Sequence, residues 1–215
     1  TPTVEPTFGL EATWIVPSDR DKAQSLGYTV VDLSTVVATH LSQIIQDHAH
    51  ELLGHEEVQK MLDRLKEVSP KLVEEVVPQP LPLVSLVKVL QSLLIDGVSI
   101  RDLRTIMETL AEHAPKTTDP NTLVMEVRNA LGRVILQDIV GSQGEVPVIT
   151  LDPQLEQMLL KSSQQSGDGV LGIEPDLAQR LNQSLENLLQ QQEMMGEAAI
   201  LVVAPQIRQS LARLL

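Results

Sequence analysis

His48, His50 and His55 lie close together in the sequence, and histidine is both a common zinc ligand and the side chain best suited to exchanging protons near neutral pH. His50-Glu51-Leu52-Leu53-Gly54 starts like the HExxH zinc motif but places Gly54 where the second ligand belongs. On a continuous helix His48 and His50 would also point about 200° apart. The spacing therefore predicts surface histidines and no metal site. Gly167, Gly169 and Gly172 spell G-x-G-x-x-G. A phosphate-cradling loop of that pattern follows a strand and opens a helix. This one follows a predicted helix and runs into Ile173-Glu174-Pro175, so it reads as a connector. The chain has no cysteine, which removes disulfides, thiolate zinc sites and cysteine nucleophiles together. No G-x-S-x-G elbow, Walker loop or distinctive carboxylate pair is present. These residues predict no catalytic group, no cofactor and no metal, and hence a protein that is not an enzyme.

Charge narrows the partners. The 215 residues carry a formal net charge of −13, and no stretch concentrates Lys and Arg, so nucleic acid and anionic membrane surfaces are unsuited to this chain. The start lacks the basic and apolar regions of a signal peptide. The longest apolar runs, such as residues 198–204, fall far short of the roughly 20 residues a spanning helix needs. The sequence is read as a soluble piece of a longer protein, because Thr1 is no natural initiator and the helical spacing of residues 206–215 runs to the last residue without a stop signal.

The elements that would position any site are well punctuated. A strand is expected over about 9–16, closed by Pro17. A helix starting at Ser18 with Asp21 three residues on, and ending at Gly27, comes next, and YTVVD reads as a second strand. A long amphipathic helix is expected from a Ser34 cap to Gly54, with Val37, Leu41, Ile44, Ile45, His48 and Leu52 along one stripe. From 55 to about 140 helices succeed one another. Ser69-Pro70 opens one, Gly97 stops the next, Ser99 starts another that Pro115 ends, and Asp119-Pro120 begins the last. After Gly141, VPVITL and AILVVA read as strands separated by helices, a pattern that sets two strands parallel through a crossover. The fold class is α+β and mostly helical, with small α/β subdomains flanking a central all-helical one.

The single Phe, Trp and Tyr all fall within the first 28 residues, whereas aromatic rings usually pin a core throughout. Everything later must pack on aliphatic side chains. The cluster marks either a compact aromatic subcore or a surface that a partner reads. In the second case Phe8, Leu10 and Val31 would line an apolar dent between the first strand and the long helix, rimmed by Glu5 and Thr39, of the kind that accepts a partner's apolar anchors.

Several long segments, in order and at consistent distances, resemble a known family: GYTVVDLSTVVATHLSQII, HELLGHEEVQKMLDRL, PKLVEE, LVKVLQSLLIDGVSIRDLRTIMETLAEHAP and VRNALGR. They resemble the cytoplasmic region of the FlhA/FHIPEP family of flagellar type III export-gate proteins and its virulence-secretion relatives, over essentially the whole chain. The resemblance implies that residues 1–32 end the second cytoplasmic subdomain, 33–52 return to the first, 53–132 form the helical third and 133–215 form most of the fourth, with the C-terminal tail missing. It implies a protein anchored through an absent N-terminal region at the cytoplasmic face of the bacterial inner membrane and assembling into a nine-membered ring. It also implies docking of export chaperones carrying late flagellar substrates, and contact with other components of the export apparatus. The family's docking dimple is marked by an acidic residue, a Phe and a Thr, which match Glu5, Phe8 and Thr39, with Leu10 and Val31 beside them. Glu5 departs from the expected Asp by one methylene. By this reading Phe8 serves docking while Trp14 and Tyr28 pack the small subdomain. The alternative is a purely structural ring subunit.

Overall fold

The computed structural model describes residues 1–141, 146–166, 172–196 and 198–214. Gly167 and Gly169 of the glycine loop lie outside them. The described chain is α+β and mostly helical, as the sequence predicts, and divides into two compact units, Thr1–Pro120 and Asn121–Leu215.

The first unit opens with an antiparallel hairpin, β1 (Pro2–Val4) and β2 (Glu11–Thr13), in the register Pro2↔Thr13, Thr3↔Ala12, Val4↔Glu11. A short 3-10 turn at Pro17–Asp19 leads into α1 (Arg20–Ser25). The predicted strand over 9–16 is thus only three residues long, and neither Ser18 nor Asp19 makes a side-chain cap. YTVVD is not a strand. Among the described residues no other strand ladders with it, and strands exist only as pairs.

α2 (Leu33–Asp47) begins one residue before the predicted Ser34 cap. Asp32 is the cap, its carboxylate accepting from Thr35 N at 2.7 Å, because an acid two residues earlier in extended backbone reaches the orphan amides better. The helix also ends early. His48 leaves the helical conformation and α3 (Ala49–Leu52) resumes after the break.

The bundle that follows holds the core of this unit. It comprises α4 (His55–Val68), α5 (Pro70–Val76), α6 (Leu83–Ile95) and α7 (Leu103–His113), with α4 against α5 and α6, α5 against α7, and α3 against α6. Each helix contributes a stripe at helical spacing: Val58 and Leu62, Val73 and Val76, Leu86, Leu90 and Leu93, and Leu103, Ile106 and Leu110, all buried. No aromatic takes part. Local chemistry fixes the ends. Glu57 accepts from Gly54 N at 3.1 Å, and Asp102, not Ser99, caps α7 by accepting from Thr105 N at 3.1 Å. Gly97 takes a left-handed φ of 69° after α6, a conformation that costs a side chain with Cβ. Gln91 Nε2 donates to Leu53 O at 2.9 Å, tying α6 to the segment after α3.

The second unit contains α8 (Pro120–Ala130), α9 (Gly132–Val140), β3 (Ile149–Thr150), α10 (Pro153–Ser166), α11 (Pro175–Met195), β4 (Leu201–Val202) and α12 (Pro205–Leu214). β3 and β4 pair in parallel, Ile149↔Leu201 and Thr150↔Val202, as the crossover pattern predicts, though each strand is only two residues long. Leu159, Leu181, Leu185, Ile207 and Leu211 form its core under that strand pair. Glu156 accepts from Ala204 N at 2.7 Å and fixes α10 to the start of α12.

The aromatics form no subcore. Phe8, Trp14 and Tyr28 are 66%, 52% and 69% exposed, so the packing expected of Trp14 and Tyr28 is not found. Residues 1–52 are all described, and none of them is buried. A two-stranded ribbon with three-residue strands has no second layer against which to bury a ring.

Candidate functional site

The site predicted from the sequence sits on the turn that joins β1 to β2. The ladder continues past Val4, with Glu5 N donating to Leu10 O at 2.8 Å. Within it, residues 6–8 make a single turn closed by Gly9 N donating to Glu5 O at 3.0 Å. Gly9 has φ of 68°, the left-handed conformation with which helical turns end. Pro6 takes the first position of the turn, where its missing N–H costs nothing. The Glu5 carboxylate closes the other end, since Oε2 accepts from Thr7 N at 3.0 Å and from Phe8 N at 2.7 Å. Glu-Pro-Thr-Phe-Gly is therefore a complete capped turn with Phe8 at its exposed corner.

The electrostatics follow from that geometry. The Phe8 N–H is the largest influence holding the Glu5 carboxyl below its ordinary value, and hydrogen bonding from Thr7 acts in the same direction. Thr39 and His40 lie on one face of α2. That face, Val36, Thr39, His40 and Gln43, is half-buried. The opposite stripe of Val37, Leu41, Ile44 and Ile45 is exposed, so the apolar side of this amphipathic helix is its open side.

Of the five predicted residues the structure links three directly. Glu5 bonds Phe8 through its carboxylate and Leu10 through its backbone. Thr39 is half-buried on α2 next to His40. Val31 is 52% exposed, just before the Asp32 cap, and no bond ties it to the turn. Phe8 and Leu10 are both exposed. The turn-forming role of Glu5 was missed in the sequence, although an acid, Pro at the next position and Gly at the end of one turn are its written signal.

The histidines differ from their sequence reading. Because α2 breaks at His48, the rings of His48 and His50 stack with centroids 6.4 Å apart instead of diverging. Glu51 Oε1 lies 2.8 Å from His48 Nδ1 and 3.9 Å from His50 Nε2. Hydrogen bonding and charge from Glu51 raise the His48 pKa, and His48 lowers that of Glu51. Among the described residues no group of three or more His, Asp or Glu is arranged to hold a metal ion. No helix among them is long and apolar enough to cross a membrane.

An aliphatic helical bundle joined to a small α/β unit matches solved cytosolic domains of protein-secretion machinery. The Chlamydia pneumoniae CdsV structure aligns over 96% of this chain and 59% of its own, with a TM-score of 0.81 at 28% identity. The nonameric EscV cytosolic domain from the type III secretion system aligns over 92% of this chain and 58% of its own, with a TM-score of 0.72 at 28% identity. The FHIPEP family pattern matches residues 1–215, and the chain belongs to that family. It is 49% identical over 213 residues to the flagellar biosynthesis protein FlhA of Yersinia enterocolitica, covering 99% of this chain. The chain spans about 30% of the length of that relative.

Proposed function

We propose that this chain is a cytoplasmic docking platform of a flagellar type III protein-export gate. It receives export chaperones loaded with late substrates at the Phe8 turn and passes the substrates toward the export channel as a transport component, not as an enzyme. The observation that carries the reading is the capped turn, which holds a large aromatic ring 66% exposed with Leu10 beside it. An exposed aromatic on an ordered turn loses little conformational freedom when it enters a partner's pocket, which is how binding hot spots are built. Glu5, Leu10, Val31 and Thr39 complete the docking set. In the longer protein the platform faces the cytoplasm at the bacterial inner membrane, with residues 1–32, 33–52, 53–132 and 133–215 belonging to successive subdomains.

The second reading, a ring subunit that only holds its neighbours together, draws on two observations. The similar EscV domain is nonameric, and the apolar stripe of α2 is open. Calorimetric titration of the chain with a purified flagellar chaperone–substrate complex separates the two. A platform binds saturably with its heat lost on Phe8→Ala, and a scaffold gives no binding heat at any concentration.

A further inference from the structure

We infer that Glu5 is a positioning residue for the docking anchor: its carboxylate holds the Pro6-Thr7-Phe8 turn closed and acts on a partner through the placement of Phe8. This rests on the docking reading of Phe8. Four hydrogen bonds converge on Glu5. Its N–H donates to Leu10, its carbonyl accepts from Gly9, and its Oε2 accepts from Thr7 N and Phe8 N. The two carboxylate bonds satisfy amides that a single turn leaves without backbone partners, the task of an N-cap residue. Between the cap and the left-handed Gly9, three residues are fixed and the Phe8 backbone has one arrangement. Without the carboxylate the turn keeps only the two backbone bonds that bracket it, from Gly9 N to Glu5 O and from Glu5 N to Leu10 O, and an exposed turn whose Thr7 and Phe8 amides are left unbonded frays. A partner then meets Phe8 in several orientations and must order the turn as it binds.

The side-chain length at this position bears on the same point. N-caps favour short acids and hydroxyls. Glu reaches the N2 and N3 amides here because β1 delivers its backbone into the turn in ladder register. Asp at the same place would meet the same amides with a shorter arm, so Glu5→Asp should keep the cap, and Glu5→Gln should keep an acceptor without the charge.

A double-mutant cycle on the full 215-residue chain tests this, with binding to a purified flagellar chaperone–substrate complex as one readout and amide exchange of Thr7 and Phe8 in the free chain as the other. We expect Glu5→Ala to accelerate exchange at both amides and weaken binding about fivefold, Glu5→Asp to restore both, and Glu5→Gln to restore them in part. In the Phe8→Ala background Glu5→Ala should weaken binding less than twofold further, because its effect runs through the missing ring. Losses that multiply in the double variant would make Glu5 a direct partner contact and overturn the inference. So would unchanged Thr7 and Phe8 exchange in Glu5→Ala. If Phe8→Ala binds like the parent, the docking reading fails and the positioning role falls with it. That result is separate from a Phe8→Ala loss with additive Glu5, which sinks the inference alone.

Discussion

Replacing Phe8 by Ala should separate binding from stability, and the structure sets both magnitudes. A Phe side chain presents about 200 Å². With the ring 66% exposed, about 70 Å² is already covered, worth at most about 1.7 kcal/mol at about 25 cal/mol per Å², and less against a partly compact unfolded chain. A core Phe costs about 3 to 5 kcal/mol when truncated. The remaining area of about 130 Å² is available to a partner and is worth about 3 kcal/mol gross. About 1 kcal/mol of side-chain ordering comes off, which leaves roughly 2 kcal/mol, or about thirtyfold in Kd. Thermal unfolding followed by circular dichroism, paired with calorimetric titration against a chaperone–substrate complex, measures both on one preparation. The expected variant is folded, with a midpoint within a few degrees of the parent, and binds at least tenfold more weakly. An unfolded Phe8→Ala would mean that the ring supports the fold despite its exposure. A folded variant binding as tightly as the parent would refute the docking assignment.

Two further predictions concern the rest of the first unit. Leu103 is buried at the start of the α7 stripe with Ile106 and Leu110, so Leu103→Ala should lower unfolding free energy by about 2 to 5 kcal/mol in urea. A change of a few tenths would show that this stripe does not belong to the core. The His48–Glu51 pair should show itself in pH. Glu51 raises His48 and His48 lowers Glu51, with Asp47 adding to the first effect and His50 to the second. Their mutual stabilisation is therefore complete only where His48 is charged and Glu51 ionised, below about 6.5 and above about 4.5. It fades as pH rises through the raised His48 value, and again as pH falls through the lowered Glu51 value. NMR titration of the His48 ring should give a pKa above 6.5 that returns toward it in Glu51→Gln. The same titration midpoint in both proteins would refute the pairing. Because both side chains are well exposed, global stability should respond weakly.

The sequence by itself determined what depends on a few neighbouring residues. Pro70, Pro120 and Pro153 open helices, Gly97 and Gly196 follow helix ends with positive φ, and the apolar stripes of α4 to α7 face a core made without aromatics. The parallel pairing of β3 and β4 was legible too, because strand, helix, helix, strand leaves few ways to close a sheet. What the sequence misjudged were properties that need a second body. YTVVD has the composition of a strand, but a strand needs a ladder partner. Val37, Leu41, Ile44 and Ile45 have the spacing of a buried stripe, but burial needs a surface to meet, and in this chain Val36, Thr39, His40 and Gln43 are the more covered side of α2. The same holds for the rings of Trp14 and Tyr28. His48 and His50 diverge on a continuous helix and stack only because the backbone breaks between α2 and α3, a change of a few torsions that no spacing rule records. Glu5 shows both halves at once. Its place before Pro6 and four residues ahead of Gly9 was written in the sequence, but only the hairpin register turned its carboxylate onto the Phe8 amide and set that ring facing outward.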